Sequence, residues 1–211
     1  MGEDSHAYSD ELGEYLVKMA RKSLESYLET CQELEIPPDC PEELKVPSGV
    51  FVTLRKYGVP HGSSLRGCIG MIQPRSPIIE ETIRMSCAAG LEDPRFPKVS
   101  LEELNDICFE VTAMTPPKKL EVEDRSTMPE HVKVGRDGLI MERGFRRGLL
   151  LPQVPVEQDP PWNAKEFLDW TCWKAGMQKG CWKRDDTTVY TFQGEIFEEE
   201  KPRGNIHRKK I

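Results

Sequence analysis

Apolar residues near the start of the chain recur at threes and fours: Leu12, Tyr15, Leu16, Met19, Leu24, Tyr27, Leu28 and Cys31. That period belongs to one face of an α-helix. Ser9, ahead of Asp10 and Glu11, supplies its N-cap, and Pro37-Pro38 sets its outer limit. From 49 to 57 the chain turns β-branched and aromatic, as Gly49-Val50-Phe51-Val52-Thr53-Leu54-Arg55-Lys56-Tyr57. Gly, Pro and Ser then crowd 58–64, before the extended segment Leu65-Arg66-Gly67-Cys68-Ile69-Gly70. Strand, turn cluster and strand in that order predict a hairpin over 50–71. Ser76 before Pro77 predicts an N-cap and first helical position, with Ile78, Ile79, Ile83 and Cys87 behind them and Gly90 as the stop.

Further on, Ile107, Phe109, Val111 and Ala113 alternate with Cys108, Glu110, Thr112 and Met114, the pattern of a strand buried on one face and ended by Thr115-Pro116-Pro117. Gly135-Arg136-Asp137-Gly138 suggests a tight hairpin turn between Val132–Val134 and Leu139–Met141, and a second turn over 143–148 leads into Leu149–Leu151. The acidic, proline-rich stretch 154–161 is either a domain boundary or a loop. Asn163 with Glu166 forms a capping box for a last helix, and Trp162 is placed to staple against Phe167. Val189–Phe192 is the expected final strand, and beyond Phe197 the charged tail is expected to be mobile. Helices and hairpins without regular strand-helix alternation give an α+β class, a mostly antiparallel sheet with packed helices. We divide the chain into a tail (1–8), one domain (9–198) and a basic tail (199–211).

Charge narrows the function classes. Lys+Arg 29 against Asp+Glu 36 leaves −7 at neutral pH, so the whole surface does not attract nucleic acid or an anionic membrane. A local patch survives that argument: Arg143, Arg146 and Arg147 beside Phe145 can hold phosphate and stack a base, or remain a solvated tip, as can the cations of the tail. The 7 cysteines contain no CxxC pair, which points to an intracellular protein of reduced thiols; the nine-residue spacings Cys31–Cys40 and Cys172–Cys181 fit no zinc pattern. Acidic residues interrupt the N-terminus where a signal peptide would be basic then apolar, and no apolar run is long enough to span a membrane. A cytoplasmic protein without metal is expected, and no cofactor is assigned.

Candidate chemistry centres on 65–70. With a period of two, Arg66, Cys68 and Gly70 share one face, placing the guanidinium roughly 7 Å along the strand from the thiol, where a cation favours the thiolate. Gly67 and Gly70 leave space for close approach. If the protein is an enzyme, Cys68 is the nucleophile, Arg66 steadies the thiolate or an anionic substrate, and His61 in the preceding turn is the general base. Against this, Cys68 also reads as a small packed residue, Arg66 as an ion-pair partner and His61 as a solvated turn residue. Asp93 and Arg95 in a proline-punctuated loop either line a cleft or form a local ion pair that fixes the loop, and Gln153 and Glu157 at a strand exit either bond a ligand or cap the loop; these four complete the candidate binding set. On the last helix Phe167, Leu168, Thr171, Cys172 and Ala175 share a face with Ala164, while Trp170, Trp173 and Met177 fall opposite, either covered by the same chain or open to a partner protein.

The segment Leu65 to Gly70 resembles the signature of the AMMECR domain family, named for the Alport syndrome, intellectual disability, midface hypoplasia and elliptocytosis chromosomal region. Gly49–Leu54, Asp93-Pro94-Arg95-Phe96, Gly135–Ile140, Gly148–Val154 and Cys172–Gly176 agree with it in order, so the resemblance covers roughly residues 10–198. It implies an α+β fold with a larger and a smaller subdomain and no settled activity. It also implies partners, because some microbial relatives carry Memo-like and radical-SAM domains in the same chain. Proposals for the family give the signature cysteine a catalytic or ligand-binding role and connect members with nucleic-acid processes. A small-molecule cleft around Cys68 and Arg66 is the leading expectation; a non-catalytic interaction module is the alternative, and a nucleic-acid-associated factor the third.

Overall fold

A computed structural model describes residues 7–72 and 76–209. Its elements run α1 (Asp10–Thr30), β1 (Val50–Lys56), β2 (Leu65–Met71), α2 (Ile78–Leu91), β3 (Ile107–Met114), β4 (Lys118–Lys119), β5 (Asp137–Arg143), β6 (Arg146–Leu150), α3 (Ala164–Lys174), β7 (Thr188–Glu199) and β8 (Ile206–Lys209), with short 3-10 turns between them. This is an α+β fold in two compact units. One contains the chain up to Met114 and again from Glu195; the other is Thr115–Gly194. Among the described residues no helix is long and apolar enough to cross a membrane.

In the first unit β1 lies antiparallel between β2 and β3, and the sheet continues through the end of β7 to β8. Val50, Val52, Leu54, Phe109 and Val111 turn to one face and are fully buried under α1 and α2. Thr53 sits opposite both Cys68 and Glu110, so these three share the other face. The hairpin over 50–71 is present, with an irregularity: Leu54 pairs with Gly67 but Arg55 with Leu65, which leaves Arg66 as the extra residue of a bulge. Gly67 faces α2 so closely that a Cβ there would stand 2.1 Å from the Ala89 carbonyl oxygen.

Ser9 caps α1 as expected, accepting from the Leu12 N–H, and Cys31 in the left-handed region ends it. The start of α2 differs from expectation. Pro77 is its N-cap, no side chain caps it, and Gly90 lies within the helix, which continues to Leu91. The C-terminal segment is not loose: Arg208 bonds Glu195, Asp10 and the Tyr8 carbonyl, and Lys209 bonds Glu110 and Glu198, so 206–209 completes the sheet edge. Arg208 and Lys209, which read as solvated in the sequence, are paired because the fold brings Asp10, Glu110, Glu195 and Glu198 to them.

In the second unit β7 runs between β4 and β5, β6 pairs with β5, and α3 packs on β5 and β6. Phe167, Leu168, Thr171 and Cys172 turn inward as their period requires, and the Asn163–Glu166 capping box is formed. Trp162 stacks on Trp170, ring centroids 5.3 Å apart. No hairpin forms at 135–138. Asp137 is buried, takes the Lys133 N–H at 2.8 Å and begins β5, so the Asp-Gly pair opens a strand rather than turning one. The stretch 154–161 lies within this unit as a run of turns.

Cys172 and Cys181 are joined in a disulfide, contrary to the expectation of uniformly reduced thiols. Gly176 and Gly180, both at positive φ, fold the chain after α3 back on itself and bring the two Cα atoms to 5.9 Å.

Candidate functional site

β2 is an edge strand, with unpaired backbone groups on its outer side that a folded protein must satisfy or cover. At Cys68 the loop after α2 does this with two side chains. The Asp93 carboxylate accepts the Cys68 N–H at 2.8 Å, and Arg95 Nη2 donates to the Cys68 carbonyl at 3.3 Å. The pair is itself locked: Arg95 Nε and Nη2 bond the two Asp93 oxygens at 2.9 and 2.7 Å, and the Arg95 N–H returns to Oδ1 at 3.1 Å. Asp93-Pro94-Arg95-Phe96 thus acts as a one-residue surrogate strand. A carboxylate replaces a carbonyl and a guanidinium replaces an amide.

The sulfur lies on the sheet face away from the helices and is not sealed in, since Cys68 is half-buried. Its contact across the hairpin is Thr53, whose hydroxyl donates to Sγ at 3.3 Å. The Arg95 guanidinium is half-exposed beside this residue, and its Nη1 makes no hydrogen bond among the described residues.

Asp93 and Arg95 therefore reach Cys68, as the sequence allowed. Arg66 does not serve the thiol: it is buried and forks onto Glu103 at 2.5 and 2.9 Å, with its Nη1 buried and without a hydrogen bond among the described residues. The bulge, invisible to a strict period of two, takes it out of the expected alternation. Gly70 leaves room for the Phe51 ring, 2.2 Å from where its Cβ would stand, rather than for a ligand. His61 opens a 3-10 turn, and its side chain lies outside the described set. Gln153 and Glu157 are exposed in a turn of the second unit, the Gln153 carbonyl accepting the Val156 and Glu157 N–H groups. Thr53 was missed; counting the hairpin register back from the turn points to it only once the bulge is known.

Arg95's hydrogen bonds hold the Asp93 carboxyl well below the usual carboxylate range against the opposing effect of burial, with the Cys68 N–H assisting. A lowered native pKa means stability that is present above the unfolded value, about 3.9, and lost as pH falls through the native one. Asp93→Asn should therefore cost about 2 kcal/mol near neutral pH, and the gap to wild type should close only below about pH 4. Urea unfolding across that range checks it; a gap that closes near pH 6 would contradict the assignment.

Three of the other thiols, Cys40, Cys87 and Cys108, are less available. Burial pushes Cys87 and Cys108 up to about 11 and raises Cys40 as well, while Cys31 is exposed. No group of three or more His, Cys, Asp or Glu side chains among the described residues comes together as a metal site would require. Of the three apolar residues expected opposite the core of α3, only Trp173 is open, at 63% exposure. Met177 lies beyond the helix end and is buried, and half-buried Trp170 is covered by Trp162 and by the Lys179 ammonium, 3.5 Å from its ring centroid.

The AMMECR1 family profile matches residues 17–197. The chain belongs to the AMMECR1 family. Protein PH0010 of Pyrococcus horikoshii is 52% identical over 204 residues, covering 96% of this chain and 97% of its own. A protein of Methanothermobacter thermautotrophicus is 47% identical over 188 residues, covering 89% and 94%. The crystal structure of PH0010, described as an uncharacterized protein, superposes with a TM-score of 0.79 at 50% identity, covering 98% of this chain and all of that one. In this AMMECR1 chain the signature cysteine and the Asp-Pro-Arg-Phe loop meet at one point of one strand.

Proposed function

We propose that this AMMECR1 protein binds a small anionic or carbonyl-containing molecule at β2, with the Cys68 thiol as the contact group and Arg95 as the anion partner. One observation carries this: Asp93 and Arg95 fix the Cys68 backbone from outside the sheet while the sulfur stays partly open and the guanidinium keeps a free Nη1 beside it. Arg66 keeps a structural place, holding Glu103. Immobilising a strand edge around a thiol is what a ligand contact needs, because the group must stand in one position before the ligand arrives.

A brief alkylation pulse with mass-spectrometric mapping tests it. Cys68 should be labelled ahead of Cys40, Cys87 and Cys108, and Thr53→Val should slow it about fivefold by removing the hydroxyl donor. Anionic iodoacetate, compared with neutral iodoacetamide, should be favoured at Cys68 more than at exposed Cys31, and Arg95→Gln should erase that preference. Equal reagent preference at the two cysteines would remove Arg95 from the role; an unlabelled Cys68 would remove the thiol.

A further inference from the structure

Four cations converge in the second unit of an acidic chain. Arg143, Arg146, Lys179 and Arg184 line a concavity of about 790 Å³, and among the described residues no carboxylate lines it. Asp186 is the adjacent counter-charge: Arg184 engages both its oxygens at 3.0 and 3.1 Å, and Arg143 stands off at 3.8 Å. Arg146 donates to the Gly176 carbonyl at 3.2 Å, and Lys179 lies over Trp170. Two carboxylates beside it, Asp186 and the Asp169 that holds the Gly180 N–H, against four cations leave the cleft positive, and close like charges repel unless an anion joins them. The open indole of Trp173 forms a wall.

The far wall is fixed in place. The chain from Gly176 to Arg184 is tied to α3 by the Cys172–Cys181 disulfide and by Asp169, which accepts the Gly180 N–H and the Trp182 Nε1–H at 2.8 Å each. The cleft is thus formed before anything enters it, which reduces the ordering cost of binding.

We propose that this cleft binds a ligand joining a phosphate to a planar aromatic ring, the chemistry of a nucleotide. Arg143, Arg146 and Lys179 receive the phosphate, because guanidinium forks match its oxygens in pairs and an ammonium adds a point charge. The ring lies against Trp173, since base–indole stacking tolerates any base. The volume suits a single small ligand. A membrane would meet the projecting Phe145 at the β5–β6 turn, and that residue does not line the cleft.

The full chain is titrated calorimetrically with AMP, adenosine, inorganic phosphate, a single-stranded octaadenylate RNA and vesicles containing phosphatidylserine. AMP should bind at least about tenfold more tightly than phosphate or adenosine alone, with Arg146→Ala and Trp173→Ala each weakening it at least about tenfold. Both side chains are exposed, so the unfolding midpoints of the variants should match wild type. Octaadenylate binding without AMP binding, lost in both variants, supports the same chemistry and identifies a nucleic-acid strand as its source. No binding of either, phosphate binding as tightly as AMP, or vesicle binding alone overturns the proposal.

Discussion

Adding one methyl group at Gly67 should lower stability by about 3 kcal/mol. The new Cβ would stand 2.1 Å from the Ala89 carbonyl oxygen, a backbone atom of α2 that cannot rotate out of the way. Either α2 lifts from β1 and β2, opening the core that Leu54, Ile79 and Ile83 fill, or β2 distorts at the residue before Cys68. Gly70→Ala supplies the control. The atoms nearest its Cβ would belong to the Phe51 ring, a half-buried side chain able to swing aside, and the expected cost is about 1 kcal/mol. Urea unfolding of both variants measures the difference. If Gly67→Ala is as stable as Gly70→Ala, α2 does not rest on that strand as closely as this contact requires.

Glu199→Gln should cost about 4 kcal/mol, because it leaves a buried guanidinium without its main counter-charge. Arg21 on α1 reaches the Glu199 oxygens at 2.7 and 2.6 Å, and also donates to the Leu104 and Ile107 carbonyls. Glu199 accepts the Phe109 N–H in addition, so one ion pair joins α1, β3 and β7. Glu25, 3.4 Å from Arg21 and more exposed, is a weaker substitute. Replacing the pair together, as Arg21→Met with Glu199→Gln, should cost clearly less than the sum of the single changes, since no charge is then stranded. Additive single and double variants would show that the pair contributes little as a pair.

Neither contact can be read from the sequence, for a common reason. Periodicity reports which face of an element is apolar, and it located α1, the 50–71 hairpin, β3 and the inward face of α3 together with its capping box. It does not report what lies across a contact between residues distant in sequence. Arg66 finds Glu103, Arg21 finds Glu199 and Arg208 finds Glu195 through the tertiary fold alone. Local signals misled where a side chain replaced the backbone partner a turn would supply: Asp137 resembles a turn residue and instead satisfies the Lys133 amide at the head of a strand. At the candidate site, the cysteine and the Asp-Pro-Arg-Phe loop were legible as residue types. Their meeting at the strand edge, and the bulge that removes Arg66, were not.

The path of the chain gives the two units different clocks. Residues 115–194 are contiguous, so once residue 194 has been added the second unit holds every residue it uses. The first unit begins earlier and closes later. Its sheet lacks the end of β7 and all of β8, and α1 lacks Glu199 and Arg208, until the last strand of the sequence is present. The half that contains Cys68 is synthesised first and can be completed only afterwards, held until then by its local contacts among α1, α2 and the β1–β3 strands.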